Sequence, residues 1–143
     1  MSILKVTDIQ SNGTGFNDVV SFKNASGTEN GTLCRAWVNF DGTFGTSPFT
    51  IANGGIRAAF NVSSVTEGGD GVYTVNFTNA MPDTNYVCNI SLSRTPVGGF
   101  AFVATDTGSS QTTTSSYFTV YGNYPSGSTV FQDVARIYAS YFR

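Results

Sequence analysis

From residue 33 onward, apolar and polar residues alternate with a period of two. Cys34, Ala36, Val38 and Phe40 fall on one side, Arg35, Trp37 and Asn39 on the other, which is the pattern of a half-buried strand. Asp41-Gly42 closes it with a turn. A short extended piece at Phe49-Thr50-Ile51 stops at Asn53-Gly54-Gly55. Three further apolar rows follow: Ile56, Ala58, Phe60 and Val62; then Tyr73, Val75 and Phe77; then Tyr86, Cys88, Ile90 and Leu92. Glu67-Gly68-Gly69-Asp70-Gly71 between the first two reads as a hairpin loop, because glycine supplies positive φ without steric cost. Residues 81–85 form a corner in which Pro82 presets φ and Asp83 can bond the neighbouring backbone. Pro96-Val97-Gly98-Gly99 breaks the chain again. Residues 100–105 and 117–121 read as strands separated by a polar loop, and Tyr124-Pro125-Ser126-Gly127 turns the chain. The last strand is expected over about residues 130–142. It carries bulk on both faces, which predicts a central position or burial between chains.

About seven or eight strands, with turn signals roughly every 8–12 residues, predict an all-β antiparallel sandwich. No apolar spacing of 3.6 persists beyond one turn, so helix is expected to be nearly absent. Residues 1–32 are different. Their apolar residues are sparse (Ile3, Val6, Ile9, Phe16, Val20, Phe22) and too few to bury a core. The division expected is a short extended N-terminal stalk or oligomerisation segment at 1–32, packed against copies of itself, and a head at 33–143. A homotrimer would bury the thin apolar residues of the stalk, cover strand edges and use the two-sided last strand.

Composition narrows the functional classes. Charged residues make up 11% of the chain, against about 25% in a typical soluble domain. Ser, Thr and Asn contribute roughly a third, well above common usage. The net charge is −2; Lys5 and Lys23 sit near the N-terminus, and Arg35, Arg57, Arg94, Arg136 and Arg143 are scattered. No basic tract is present to neutralise phosphates or to meet an anionic bilayer, so neither nucleic-acid binding nor membrane insertion is expected. The opening Met1-Ser2-Ile3-Leu4-Lys5 lacks the charged and apolar regions of a signal peptide, so the chain is expected to be made in a cytoplasm and to stay soluble. Cys34 and Cys88 fall on apolar strand faces, either as two buried thiols or as an inter-sheet disulfide.

Catalytic chemistry is thin. The chain has no histidine, which removes the commonest general base, triad partner and transition-metal ligand. Glu67 and Asp70 share one loop and could in principle pair as glycosidase carboxylates or hold Ca²⁺, but the loop lacks regular calcium-ligand spacing. No enzymatic activity, cofactor or metal is expected. Aromatic rings beside Asn and Ser suit stacking on sugars, since they offer flat apolar area at small entropy loss. Tyr121, Tyr124, Phe100 and Asn123 are the candidates for receptor or glycan contact. Trp37, Tyr138, Tyr141 and Phe142 are the candidates for a subunit interface.

The runs Cys34-Arg-Ala-Trp-Val-Asn-Phe-Asp-Gly42, residues 56–66 (IRAAFNVSSVT) and residues 71–86 (GVYTVNFTNAMPDTNY) resemble the distal domain of bacteriophage tail-fibre proteins of cyanophages and other marine phages. The opening residues 2–10 resemble the stalk that precedes that domain, and residues 135–143 its usual ending. The resemblance fades across 93–130, where a variable host-contact surface is expected. It implies a trimeric fibre or fibre tip on the virion, associated with other tail or baseplate proteins and contributing to attachment to a host surface polysaccharide. It carries no catalytic motif. The alternative is a stand-alone carbohydrate-binding module or lectin. The loops between 93 and 129 are the expected site of host contact.

Overall fold

The structure is a computed structural model that describes residues 22–23, 26, 29–31, 33–93, 100–104, 111–123 and 129–143. Within them the protein is all-β and contains no helix. Strands β1 (Phe22–Lys23) and β2 (Glu29–Gly31) pair as a small antiparallel hairpin. The rest of the expected stalk lies outside the described residues.

Nine strands build two antiparallel sheets. The first contains β3 (Cys34–Phe40), β4 (Ile56–Phe60), β7 (Val87–Leu92) and β11 (Ile137–Phe142), in the order β4-β3-β11-β7. The second contains β5 (Val62–Gly69), β6 (Val72–Phe77), β8 (Phe100–Ala104), β9 (Ser115–Asn123) and β10 (Thr129–Phe131). The long β9 organises this sheet. Tyr121, Gly122 and Asn123 pair with both β8 and β10, so those two strands flank opposite edges. β6 lies along the β10 edge, pairing with the first half of β9 and with β5 on its far side.

The core is the row of side chains that alternation selects. Ala36, Val38 and Phe40 from β3 and Ile137, Ala139 and Tyr141 from β11 are buried against Tyr73, Val75, Phe77, Phe118 and Val120 of the opposing sheet. Aromatic rings dominate it. Phe40 meets Tyr73 edge-on at 5.2 Å, and Phe77 meets Tyr141 edge-on at 5.0 Å, arrangements that match ring edge to ring face.

Two expected strands are each divided by a sheet switch, which is why the count exceeds eight. The row 56–62 breaks at Asn61, whose φ is 55°. Its side chain fixes the break, donating to the carbonyls of Arg35 and Asn79 and accepting from the Asn79 backbone amide at 2.8 Å. A register shift beside Phe40 adds a second change of parity: Ile56 pairs with inward Phe40, whereas Ala58 and Phe60 pair with outward Asn39 and Trp37. Phe60 is therefore exposed, contrary to its place in the alternating row.

The second switch divides the expected last strand into β10 and β11. Asp133 anchors it, accepting the Tyr73 hydroxyl at 2.6 Å and the Gly71 amide at 2.7 Å. Gly71 has φ 66°, and a Cβ there would stand 2.4 Å from the Val120 carbonyl oxygen, so the turn admits no side chain. β11 itself is central, between β3 and β7, as its two bulky faces predict.

Candidate functional site

The outer face of the first sheet carries exposed rings. Trp37 on β3 pairs with Ser140 on β11, and Asn39 with Tyr138, so Trp37 and Tyr138 are diagonal neighbours on that face. Diagonal side chains of this kind lie roughly 7–8 Å apart. On the other flank of β11, Ser140 pairs with Asn89 and Tyr138 with Ser91 of β7. Together these six side chains line a cleft of about 300 Å³, floored by Val38 and Ala139, whose side chains point into the core. Trp37 is 40% and Tyr138 42% exposed.

The polar groups of the cleft are uncommitted. Among the described residues, the side chains of Asn39, Asn89, Ser91 and Ser140 have no hydrogen-bond partner, and Asn39 Oδ1 is shielded from solvent without one. Three amides elsewhere are committed to structure. Asn53 bonds Pro48 and the amides of Thr50 and Gly55; Asn61 holds the sheet switch; Asn76 bonds Ser64 and Thr66. No acidic or basic side chain lines the cleft.

The outer face of the second sheet has another character. Phe102, Tyr121 and Phe131 are cross-strand neighbours on β8, β9 and β10. Tyr121 stacks on Phe102 at 5.3 Å with planes 15° apart, and on Phe131 at 4.8 Å with planes 28° apart. Its two neighbours approach from opposite edges, so both faces of the Tyr121 ring are occupied. The result is an apolar ridge, in which Phe102 and Phe131 remain exposed.

The sequence candidates distribute unevenly over these faces. Trp37 and Tyr138 share the cleft, and Phe142 follows them on the same outer face, half-buried. Tyr141 does not belong to any surface. It is 0% exposed and packs against Phe77 and Tyr86 within the chain, so the expectation of an interface role fails for it: alternation places it inside, one residue from outward Phe142. Tyr121 lacks the open ring face that sugar stacking requires. Phe100 and Asn123 pair with each other at the end of the second sheet; their side chains, Tyr124, and the loop positions 94–99, 105–110 and 124–128 lie outside the described residues. Sequence reading missed Asn39, Asn89, Ser91 and Ser140. The available signal was their outward parity beside Trp37 and Tyr138.

Cys34 and Cys88 are free thiols in the same sheet, paired to neighbouring residues on opposite edges of β11. Two strand spacings separate them, roughly 9–10 Å, beyond disulfide reach. An inter-sheet bridge is thereby excluded. Burial pushes the Cys88 thiol up to about 11 and the Tyr86 hydroxyl to about 12, the opposite of what an attacking thiolate needs. Glu67 is raised by burial first and then by the negative charges of Asp133 and Asp70. Asp133 is already committed to Tyr73 and Gly71. Among the described residues no cluster of three His, Cys, Asp or Glu side chains could hold a metal ion. Asp83 is held below its ordinary value by Arg143, which bonds both carboxylate oxygens at 2.9 and 2.7 Å, and by the Asn85 amide.

The chain matches no family model, no curated protein and no solved structure.

Proposed function

We propose that this chain is the head of a homotrimeric virion fibre, an attachment domain of a bacteriophage tail that binds a host surface polysaccharide and catalyses nothing. One observation carries the reading. Both outer faces of the β scaffold expose aromatic rings, Trp37 and Tyr138 on one sheet and Phe102 and Phe131 on the other, and uncharged polar side chains line the cleft beside the first pair. An adhesion domain needs that distribution, since recognition then acts on a surface whose shape the core fixes in advance.

The ridge of Phe102, Tyr121 and Phe131 supports association between copies, because it offers apolar area without a polar floor to dehydrate. The sparse apolar residues of 1–32 support it further. Trimerisation would also multiply a weak surface contact through avidity. The low charge and high Ser, Thr and Asn content suit a surface exposed on a particle. A stand-alone lectin is the second reading, favoured by the cleft alone.

Light scattering on the full chain at micromolar concentration tests the assembly. A particle of three times the 15.2 kDa chain mass is expected, and Phe102→Ala with Phe131→Ala should shift it towards monomer. A 15.2 kDa particle that still binds polysaccharide would instead identify a lectin. The virion assignment is tested by mass spectrometry of purified particles, which should contain the chain.

A further inference from the structure

We infer that the cleft between Trp37 and Tyr138 is the glycan-binding site, and that its ligand is an uncharged pyranose oligosaccharide; this assignment deepens the attachment reading and rests on it only for the biological source of the glycan. Three features of the cleft converge on that chemistry. Its two rings stand apart on neighbouring strands, diagonal to one another, with exposed surface not taken by each other. A pyranose presents an apolar C–H face and a rim of hydroxyls, and an indole or phenol ring covers that face at small entropy loss.

Beneath and beside the rings, Asn39, Asn89, Ser91 and Ser140 offer amide and hydroxyl groups with no partner among the described residues. Amides and hydroxyls both donate and accept, as sugar hydroxyls do. Asn39 is the most central, directly across from Tyr138 and two residues along β3 from Trp37. Finally, the lining carries no charge. A uronic acid or sulfated sugar would lose its hydration there without gaining a cation, so neutral sugars are preferred.

The competing occupant is a second copy of this chain. A protein face seated on the cleft would have to satisfy four polar side chains or bury them unpaired, which is unfavourable. The ridge of the second sheet has no such demand.

Trp37 is the only tryptophan of the chain, so intrinsic fluorescence reports this cleft directly. The full-length protein is titrated with maltohexaose, cellohexaose, laminarihexaose and mixed galacto- and manno-oligosaccharides, with alginate and hyaluronan hexasaccharides as acidic comparisons. At least one neutral series should shift the Trp37 emission saturably, and the acidic ones should bind at least about tenfold more weakly. Tyr138→Ala, read by calorimetry and by the same emission, should weaken binding about tenfold or more, on the scale of ring stacking. Asn39→Ala should weaken it severalfold, and Asn39→Gln should restore part of the loss. All three variants should keep the parent's circular dichroism and mass.

No emission shift with any neutral oligosaccharide overturns the assignment, as does tighter binding of the acidic probes. Loss of the assembled mass in Tyr138→Ala would make the cleft an interface between copies and overturn it too. A trimeric, virion-borne chain whose cleft binds no sugar would remove this assignment alone, whereas a monomer that binds neutral sugar would remove the fibre reading alone.

Discussion

The two outer faces of the sandwich both expose aromatic rings, yet the rings differ in what they lack. On the second sheet Phe102, Tyr121 and Phe131 are stacked on one another. On the first, Trp37 and Tyr138 stand diagonally across β3 and β11 with uncommitted amides and hydroxyls between them. Equal exposure therefore hides unequal availability. A ring already covered on both faces contributes to stability and to apolar area, while an exposed ring beside unpaired polar groups can accept a ligand.

The contrast should be sharpest along a single strand. Tyr141 and Tyr138 lie three residues apart on β11, one pointing inward and the other outward. Truncating a buried aromatic side chain costs about 3–5 kcal/mol, so Tyr141→Ala should lower unfolding free energy by about that much in a denaturant titration. Tyr138→Ala should change it by no more than about 0.5 kcal/mol, as expected of a surface position. A large loss for Tyr138→Ala would mean that the outer ring is structural and would break the distinction.

The next effect is smaller and compares the two faces directly. Tyr121→Ala removes two stacked contacts at once, each worth about 0.5–1.5 kcal/mol, and should destabilise the chain by about 1–3 kcal/mol. Trp37→Ala should destabilise it less. Equal losses, or the reverse order, measured by the same titration would show that Trp37 is supported by neighbours as Tyr121 is.

How much of this was legible in the sequence follows from the physics of alternation. Parity located the inward rows at 34–40, 73–77 and 86–92 and the outward position of Trp37, because burial on one face forces a period of two. Parity is lost wherever a strand changes sheet. Asn61, with positive φ, and Asp133, bonded to Tyr73 and Gly71, are each a local device whose partners lie far along the chain. Residues 56–62 and 130–142 therefore read as single strands. The candidate site was half visible. Tyr121 and Tyr138 stand out in the sequence as aromatic candidates, but the stacking of Phe102 and Phe131 on Tyr121 depends on the pairing of β8, β9 and β10, which no local pattern encodes.

The weakest expected effect concerns the thiols inside the first sheet. Burial raises the Cys88 thiol from its ordinary 9.0 to about 11. The folded state therefore keeps a proton that the unfolded chain releases. Its contribution is fully present below pH 9 and is lost as the pH rises from 9 towards 11. Cys88→Ala should flatten the stability profile in that window. Because the thiols are free and too far apart to pair, adding a reductant at neutral pH should leave the melting temperature unchanged, and a fall of several degrees would contradict the assignment.

The comparison between the faces stands or falls on one matched measurement. Tyr138→Ala and Phe131→Ala each remove one exposed ring, of 42% and 48% exposure, from opposite faces of the same scaffold. Both proteins are compared with the parent in calorimetric titration against the neutral oligosaccharide that shifts Trp37 emission. The account predicts a loss of about tenfold or more for Tyr138→Ala and parental affinity for Phe131→Ala. Parental affinity in Tyr138→Ala, with the loss falling on Phe131→Ala, would contradict it and move recognition to the ridge.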